Sequence, residues 1–247
     1  DADKKAYGEC LRMAVTAPVC KKLADSITDD DEPISDYLSA IIDGVVESPK
    51  VFKDTAVEYY SFGLHVANQQ SEDVDVGVRT LGIELSLCLV EQLTNQFKKR
   101  PDLIQSGLNV IIQMMCQVED CQEWYEADGP DADEDIDQVA ILGEQSIDRF
   151  AIALTGRYCA EPFFGVVSSL LLSSTQWNHH YGALKAIAST AEGLMDVLED
   201  RLEQVLSLIW PCFEHKHPRV QYASCHALGQ LCTDFDGAIQ KDFTKQS

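Results

Sequence analysis

The sequence is poor in basic residues. Of its 247 residues, 19 are Lys or Arg and 41 are Asp or Glu, which gives a formal net charge of −22. A chain with this charge lacks the cations that neutralise phosphate groups, so it is not suited to general nucleic-acid binding. The same charge disfavours docking on an anionic membrane surface. We therefore expect no direct nucleic-acid partner and no membrane partner.

Several other features are missing. No apolar run approaches the length of about 18 residues that a membrane span needs. The first residues, DADKKAYGEC, show neither a secretory nor a transit-peptide pattern. The nine Cys are odd in number and irregularly spaced, without a C-x-x-C pair. This usage is typical of reduced, mostly buried cysteines in an intracellular protein.

The sequence also lacks the signatures of an enzyme or a metalloprotein. It contains no G-x-S-x-G, P-loop or H-E-x-x-H motif. Its acidic string DADEDID has no glycine and no closing Glu at calcium-loop spacing. One group of His and Cys matches no zinc template, namely Cys212, His215, His217, Cys225 and His226. We expect no catalytic residue, cofactor or metal.

Glycine and proline are sparse, and helix-length stretches run between them. From Val78 to Leu93, apolar residues follow a 3.6-residue period over two adjacent faces, which is typical of a helix between neighbours. Strand-like alternation is missing. Pro49, Pro101 and Pro162 each fall near the start of an apolar-periodic run, where a helix tolerates proline. The sequence therefore predicts an all-α protein.

The helices repeat with a fixed period. The stretch WNHHYGALKAIASTAEG from Trp177 aligns with PRVQYASCHALGQLCTDF from Pro218 at a shift of 41 residues. A second apolar helix precedes each copy. A helix pair with this period predicts an α-α superhelix of the HEAT-repeat solenoid type. We expect about five to six repeats in one array over residues 1–247, with an incomplete first unit at about 5–27.

The predicted helices pair at about 51–69 with 74–95, 102–118 with 137–157, 162–174 with 177–192, and 196–213 with 218–233. A helix at about 34–47 precedes them, and another unit begins near Gly237. The second of these pairs is interrupted by an acidic insertion, residues 119–137, which holds ten acidic residues. No Lys or Arg occurs from Pro101 through Asp148. Like-charge repulsion of this kind predicts a solvated loop.

The strings around this insertion resemble a known family. An acidic loop with a Trp, followed by GEQSIDR, WNHHYGALKAIASTAEG and HPRVQYASC, resembles the karyopherin-β nuclear transport receptors, in particular their importin-five branch. The motifs cover about 119–243. Gln221 stands where the usual string has Arg, and this weakens the ladder of side-chain contacts expected there.

The resemblance implies a function. Receptors of this family bind basic cargo, release it under the control of the GTPase Ran, and pass the nuclear pore through contacts with FG nucleoporins. It implies a monomeric protein that shuttles between cytoplasm and nucleus. FG contacts are expected between first helices, for example at Phe163, Phe164, Val167 and Leu171, although core packing explains these residues equally well.

Two sets of residues are candidates for cargo or Ran contacts. The first lies in the acidic loop: Glu126, Asp128, Asp131, Asp133, Glu134, Asp135 and Asp137. The alternative for this set is a solubilising insertion. Trp124, in the same loop, is expected either to stack on a partner's cation or to anchor the loop.

The second set lies in the second helices of the pairs, which line the concave face of HEAT arrays. Its members are Glu84, Glu91, Glu144, Asp148, Trp177, Asn178, Tyr181 and Glu192. Carboxylates there hold Lys or Arg through charge-assisted hydrogen bonds. For each residue the alternative is a packing or solvated position. A HEAT scaffold of another class, such as a phosphatase scaffold or an assembly chaperone, is the alternative function.

Overall fold

The computed structural model describes residues 32–70, 74–126 and 138–235. All regular structure within these ranges is helical, which confirms the predicted all-α class. The first predicted unit and the helix expected near Gly237 lie outside the described residues. Contacts group the chain into two compact units, residues 1–100 and 101–247. The prediction of one array over 1–247 stays a prediction, and each unit is described by itself.

The first unit is built around one buried helix. Its elements are α1 (Glu32–Glu47), a 3-10 turn (Pro49–Phe52), α2 (Ala56–Ala67), α3 (Val76–Gln92) and α4 (Thr94–Phe97). Both α1 and α2 pack against α3. This explains why the apolar residues of α3 cover two faces. The carboxylate of Asp75 caps the start of α3 by accepting a hydrogen bond from the Gly77 amide at 2.7 Å.

Helices α2 and α3 touch backbone to backbone. A Cβ atom on Gly82 would lie 2.8 Å from the Ala67 nitrogen and 2.8 Å from the Gly63 carbonyl oxygen. Only glycine fits at this crossing. The Ser86 hydroxyl donates to the Tyr60 carbonyl at 3.2 Å, and Arg79 Nε donates to the Ala67 carbonyl at 3.1 Å. These buried polar groups therefore have partners across the helix pair.

The second unit carries the remaining elements. They are α5 (Pro101–Met115), α6 (Gln122–Glu126), α7 (Gln138–Leu154), α8 (Gly156–Ser173), α9 (Trp177–Thr190), α10 (Met195–Leu198), a 3-10 turn (Glu199–Arg201), α11 (Leu202–Ile209), a 3-10 turn (Trp210–Glu214) and α12 (Pro218–Asp234). Helix α5 pairs with α7, α8 with α9, and α11 with α12, in the predicted order. Helix α9 also contacts α5, α7 and α12. The second helices α7, α9 and α12 therefore lie side by side.

The structure differs from two of the predicted helices. Pro162 lies inside α8 because that helix begins at Gly156, directly after a sharp turn at Thr155 with φ of 64°. The predicted helix at 196–213 is instead two short α-helices separated and followed by 3-10 turns. Pro211 lies in the last of these turns, where it removes a helical hydrogen bond.

The C-terminal end of α5 is crossed closely by α9. A Cβ atom on Gly182 would lie 2.5 Å from Cys116 Sγ and 3.0 Å from the Cys116 nitrogen. Asn178 Nδ2 donates to the Cys116 carbonyl at 2.9 Å and so caps α5. Burial raises the pKa of the Cys116 thiol to about 12. Cys88, Cys116, Cys159 and Cys212 are buried and form no disulfide bond, as expected, whereas Cys225 and Cys232 are exposed.

Candidate functional site

Carboxylates from adjacent second helices share one groove. Its volume is about 390 Å³. We call it the acidic groove, and define it by its lining residues: Glu144, Gln145 and Asp148 of α7; Ala188 and Ser189 of α9; Glu192; and His226 and Gln230 of α12. Three of the predicted cargo candidates therefore lie together, namely Glu144, Asp148 and Glu192.

Asp148 and Glu192 place two negative charges in the groove. Within the described ranges, neither carboxylate has an ion-pair partner. Asp148 is half-buried and Glu192 is exposed. Burial, and then the charge of Glu192, raise the pKa of the Asp148 carboxyl above its usual value. A cation placed between these two side chains would relieve their repulsion.

Glu144 has a different environment, because its carboxylate binds a lysine of the same chain. Lys185 of α9 places its Nζ 3.1 Å from Glu144 Oε1, and the two side chains are 12% and 23% exposed. The wall of the acidic groove thus already holds one lysine ammonium group. Partial desolvation, followed by the charge of Lys185, lowers the pKa of His226 on the facing helix.

The groove extends toward the end of α12. Gln230 Nε2 donates to Asp234 Oδ2 at 2.9 Å. Acidic residues thus recur at Asp148, Glu192 and Asp234, with a spacing close to the 41-residue repeat. Neither Asp234 nor Lys185 is among the residues predicted from the sequence. The repeat offered a signal for Asp234, whereas only the structure reveals the pairing of Lys185.

Two candidates of the second set lie in the first unit. Glu84 is half-buried in α3, and one of its carboxylate oxygens accepts from Cys88 Sγ at 3.3 Å. Glu91 is exposed near the end of the same helix. Both belong to one helix face, and their role in cargo binding stays a prediction.

The root of the acidic insertion is held by a buried arginine. Arg219 of α12 is fully buried, and its Nη1 donates to the Glu119 carbonyl at 2.7 Å. Its guanidinium carbon lies 5.1 Å from the ring centre of Trp124, 5.9 Å from that of Trp177 and 5.0 Å from that of Tyr181. The ring of Trp124 thus lies against a cation of its own chain, and its role as an anchor of the insertion stays a prediction.

Three of the predicted cargo candidates pack inside this cluster. Tyr181 is 2% exposed. Trp177 stacks on the imidazole of His217, with centroids 3.8 Å apart and planes 5° from parallel. Asn178 caps α5, as described above. These three residues therefore make contacts within the chain, and their role in cargo binding stays a prediction.

A polar cleft opens beside the root, with a volume of about 800 Å³. Asp120 lies at its edge, where it accepts from the Tyr125 hydroxyl at 2.8 Å and lies 3.5 Å from His217 Nε2. The hydrogen bond from Tyr125, together with nearby His217 and Arg219, lowers the pKa of the Asp120 carboxyl. These contacts tie α6 to the start of α12.

Of the acidic-loop candidates, Glu126 lies within the described residues. Glu126 is the exposed last residue of α6 and accepts from Gln122 Nε2 at 2.9 Å. The others lie outside the described residues: Asp128, Asp131, Asp133, Glu134, Asp135 and Asp137. Their role stays a prediction based on charge alone.

Several other expectations concern single side chains. Phe163 and Val167 of α8, which were considered for FG contacts, are fully buried in the core. His179 and His180 are half-buried. His179 Nδ1 lies 2.8 Å from Ser174 Oγ, and His180 Nε2 lies 3.2 Å from the Leu171 carbonyl oxygen. Gln221 is exposed and donates to the His215 carbonyl at 2.8 Å.

In residues 32–70, 74–126 and 138–235, no group of three or more His, Cys, Asp or Glu side chains is arranged to hold a metal ion. In the same ranges, no helix combines the length and the apolar character that crossing a membrane requires.

Two known repeat families match parts of this chain. Residues 71–161 match the model of the Importin repeat, and residues 177–231 match that of a HEAT-like repeat. Importin subunit beta-3 of Saccharomyces cerevisiae is 30% identical over 239 residues, which is 94% of this chain and 22% of that protein. The chain thus spans about a fifth of the length of the curated relative it matches.

Solved structures of Kap121p are also similar to this chain, with about the same sequence identity. The structure of Kap121p bound to RanGTP has a TM-score of 0.79 and 32% identity, and it covers 85% of this chain and 21% of Kap121p. Kap121p bound to Ste12p has a TM-score of 0.79 and 31% identity, with 86% and 20% coverage.

The chain belongs to the importin-β family, and its fold is the HEAT-repeat fold of that family's solenoids. The matched relatives are named as importins and karyopherins, which are not enzymes. This agrees with the sequence resemblance and favours it over a HEAT scaffold of another class.

Proposed function

We propose that this chain is part of a nuclear transport receptor and that the acidic groove holds basic residues of its cargo. One observation carries the proposal: Asp148 and Glu192 project from neighbouring repeats into one groove, and neither has an ion-pair partner in the described ranges. Cargo Lys or Arg side chains would supply the missing charge through charge-assisted hydrogen bonds.

The similar proteins support the first part of the proposal, that the chain is part of a nuclear transport receptor. Kap121p has been crystallised with RanGTP, with Ste12p, with the extreme C-terminus of Cdc14p and with the nucleoporin Nup53p. By analogy, the full receptor would bind cargo, release it when Ran-GTP binds, and contact FG nucleoporins while shuttling between cytoplasm and nucleus. A receptor built from small repeats can change shape through rotations that add up along the array.

The acidic insertion has a separate role in the proposal. Ten acidic residues lie between Glu119 and Asp137. Their combined charge would attract a basic cargo over several ångströms and raise the association rate, with an effect that falls as salt is added. The groove would then provide the fixed contacts that slow dissociation.

Binding of a lysine-rich peptide tests the cargo site. We would measure fluorescence anisotropy with the 247-residue chain, its D148N/E192Q variant and an E199Q/E203Q control. Glu199 and Glu203 are exposed and lie outside the groove, and the control changes the net charge equally. We expect the groove variant to bind at least about tenfold more weakly than the control, since each lost charge-assisted bond contributes about 1.5–3 kcal/mol. Equal affinities for the two variants would reject the groove as the cargo site.

The Ran step needs a separate experiment. Ran loaded with a non-hydrolysable GTP analogue is added to the full-length receptor holding a labelled basic cargo. We expect release of the cargo with the GTP-loaded form and retention with the GDP-loaded form. Retention of the cargo with both forms would reject control by Ran. The peptide-binding experiment decides separately whether the groove is the cargo site.

A further inference from the structure

The lysine–glutamate pair at the edge of the acidic groove suggests a determinant of specificity. We propose that Lys185 acts as a built-in competitor of cargo: its ammonium occupies the Glu144 carboxylate and so limits how many cargo cations the groove can take. This inference rests on the proposed function of the groove.

The geometry of the pair supports competition. Lys185 Nζ lies 3.1 Å from Glu144 Oε1, and the lysine side chain is only 12% exposed. The ammonium therefore sits in the position that a cargo lysine would take on the same carboxylate. Glu144 lines the groove together with Asp148 and Glu192, which lack such a partner in the described ranges.

The charge balance of the groove supports the same conclusion. Its wall carries Glu144, Asp148 and Glu192, with Lys185 as the cation at its edge and His226 on the facing helix. Partial desolvation and the nearby Lys185 both favour the neutral form of His226 by lowering its pKa. The groove thus offers two uncompensated negative charges. A peptide with two well-placed lysines should therefore pair with both carboxylates. A third lysine should increase the affinity only slightly.

Removing the ammonium tests the proposal. The Lys185→Met change keeps an unbranched side chain and deletes the charge. Lys99→Met is the matched control, because Lys99 is exposed and outside the groove and loses the same charge. We would titrate labelled peptides with two and with three lysines, at about 50 mM and about 300 mM salt, where surface charge is screened to different extents.

We expect K185M to bind the three-lysine peptide about threefold or more tightly than K99M at the lower salt concentration, because Glu144 becomes available. The gain should be smaller for the two-lysine peptide. The double variant K185M/E144Q removes both members of the pair and should return to within about twofold of the unmodified chain. Thermal unfolding of each variant shows whether the fold is intact.

The outcomes separate this proposal from the function on which it rests. If K185M and K99M bind both peptides equally while D148N/E192Q still weakens binding, Lys185 is a structural partner of Glu144 and the competitor role is rejected. If D148N/E192Q has no effect, the groove is not the cargo site and both proposals fail. If K185M alone unfolds, Lys185→Gln serves as the second neutral variant and is judged by the same comparison.

Discussion

The guanidinium of Arg219 lies 5.1 Å from the ring centre of Trp124, and this contact joins the root of the acidic insertion to a helix of a later repeat. The hydrogen bond from Arg219 to the Glu119 carbonyl spans 100 residues of sequence. Trp177 stacks on His217, and its ring centre lies 5.9 Å from the guanidinium carbon of Arg219. The charged insertion therefore starts from a fixed point on the repeat surface.

Replacing this arginine should destabilise the second unit. Arg219→Met keeps much of the side-chain volume and removes both the cation and its hydrogen bond. We expect the free energy of unfolding to fall by about 2–4 kcal/mol, because a buried polar network is broken. Urea unfolding followed by tryptophan fluorescence measures this. Cys225→Ala on the exposed side of α12 is the control and should change stability by less than about 0.5 kcal/mol. Equal stability of the two variants would contradict an anchoring role.

Two glycines should respond to alanine in opposite ways. Gly182→Ala places a methyl group 2.5 Å from Cys116 Sγ and 3.0 Å from a backbone nitrogen, so we expect a loss of at least about 1 kcal/mol. A methyl group on Gly229, in helix α12, would meet no atom within 4 Å. Gly229→Ala should raise stability by about 0.5–1 kcal/mol. Thermal unfolding of both variants checks the signs, and a stabilising Gly182→Ala would refute the close crossing of α5 and α9.

The charge of Asp148 should cost stability at neutral pH. Its folded-state pKa is raised by burial and by Glu192, so ionisation disfavours the folded state as pH rises through that pKa. Asp148→Asn should therefore raise the melting temperature at pH 7 while weakening the binding of a lysine-rich peptide. The difference in melting temperature should disappear at pH values below the ordinary pKa of aspartate. An unchanged or lower melting temperature at pH 7 would contradict the electrostatic account of the groove.

Neutralising the insertion should change association more than dissociation. Converting the acidic residues from Asp128 to Asp137 to their amides removes charge without shortening the chain. Because long-range attraction acts before contact, we expect about a tenfold slower association of a basic peptide at low salt. The dissociation rate should stay nearly constant. Stopped-flow fluorescence measures both rates, and a change confined to dissociation would assign the loop a direct contact instead.

The helical repeats were predictable because their signals are local. Apolar periodicity, the 41-residue shift and proline at the first position of α5 and α12 are properties of neighbouring residues. The boundary at Gly156 was not predictable, because it depends on the backbone of Thr155 and not on the position of Pro162. Short 3-10 turns around α11 likewise left no periodic signal.

The site was predictable only in part. The sequence indicated that carboxylates of second helices would face one another, and Glu144, Asp148 and Glu192 do share a groove. It could not separate aromatic residues that meet a partner from those that pack, so Trp177 and Tyr181 were both candidates. Both rings lie near Arg219, which is about 40 residues away along the chain. Contacts across repeats, such as that of Lys185 with Glu144, require the fold.

Photo-crosslinking of a basic peptide tests the central claim most directly, because it locates the bound cargo. A lysine-rich peptide with one photoreactive residue is bound to the 247-residue chain, irradiated and mapped by mass spectrometry. The account predicts cross-links on the groove walls, at residues such as Gln145, Ser189 and Gln230, and predicts their loss in the D148N/E192Q variant. Cross-links confined to the acidic insertion, or unchanged in that variant, would contradict it.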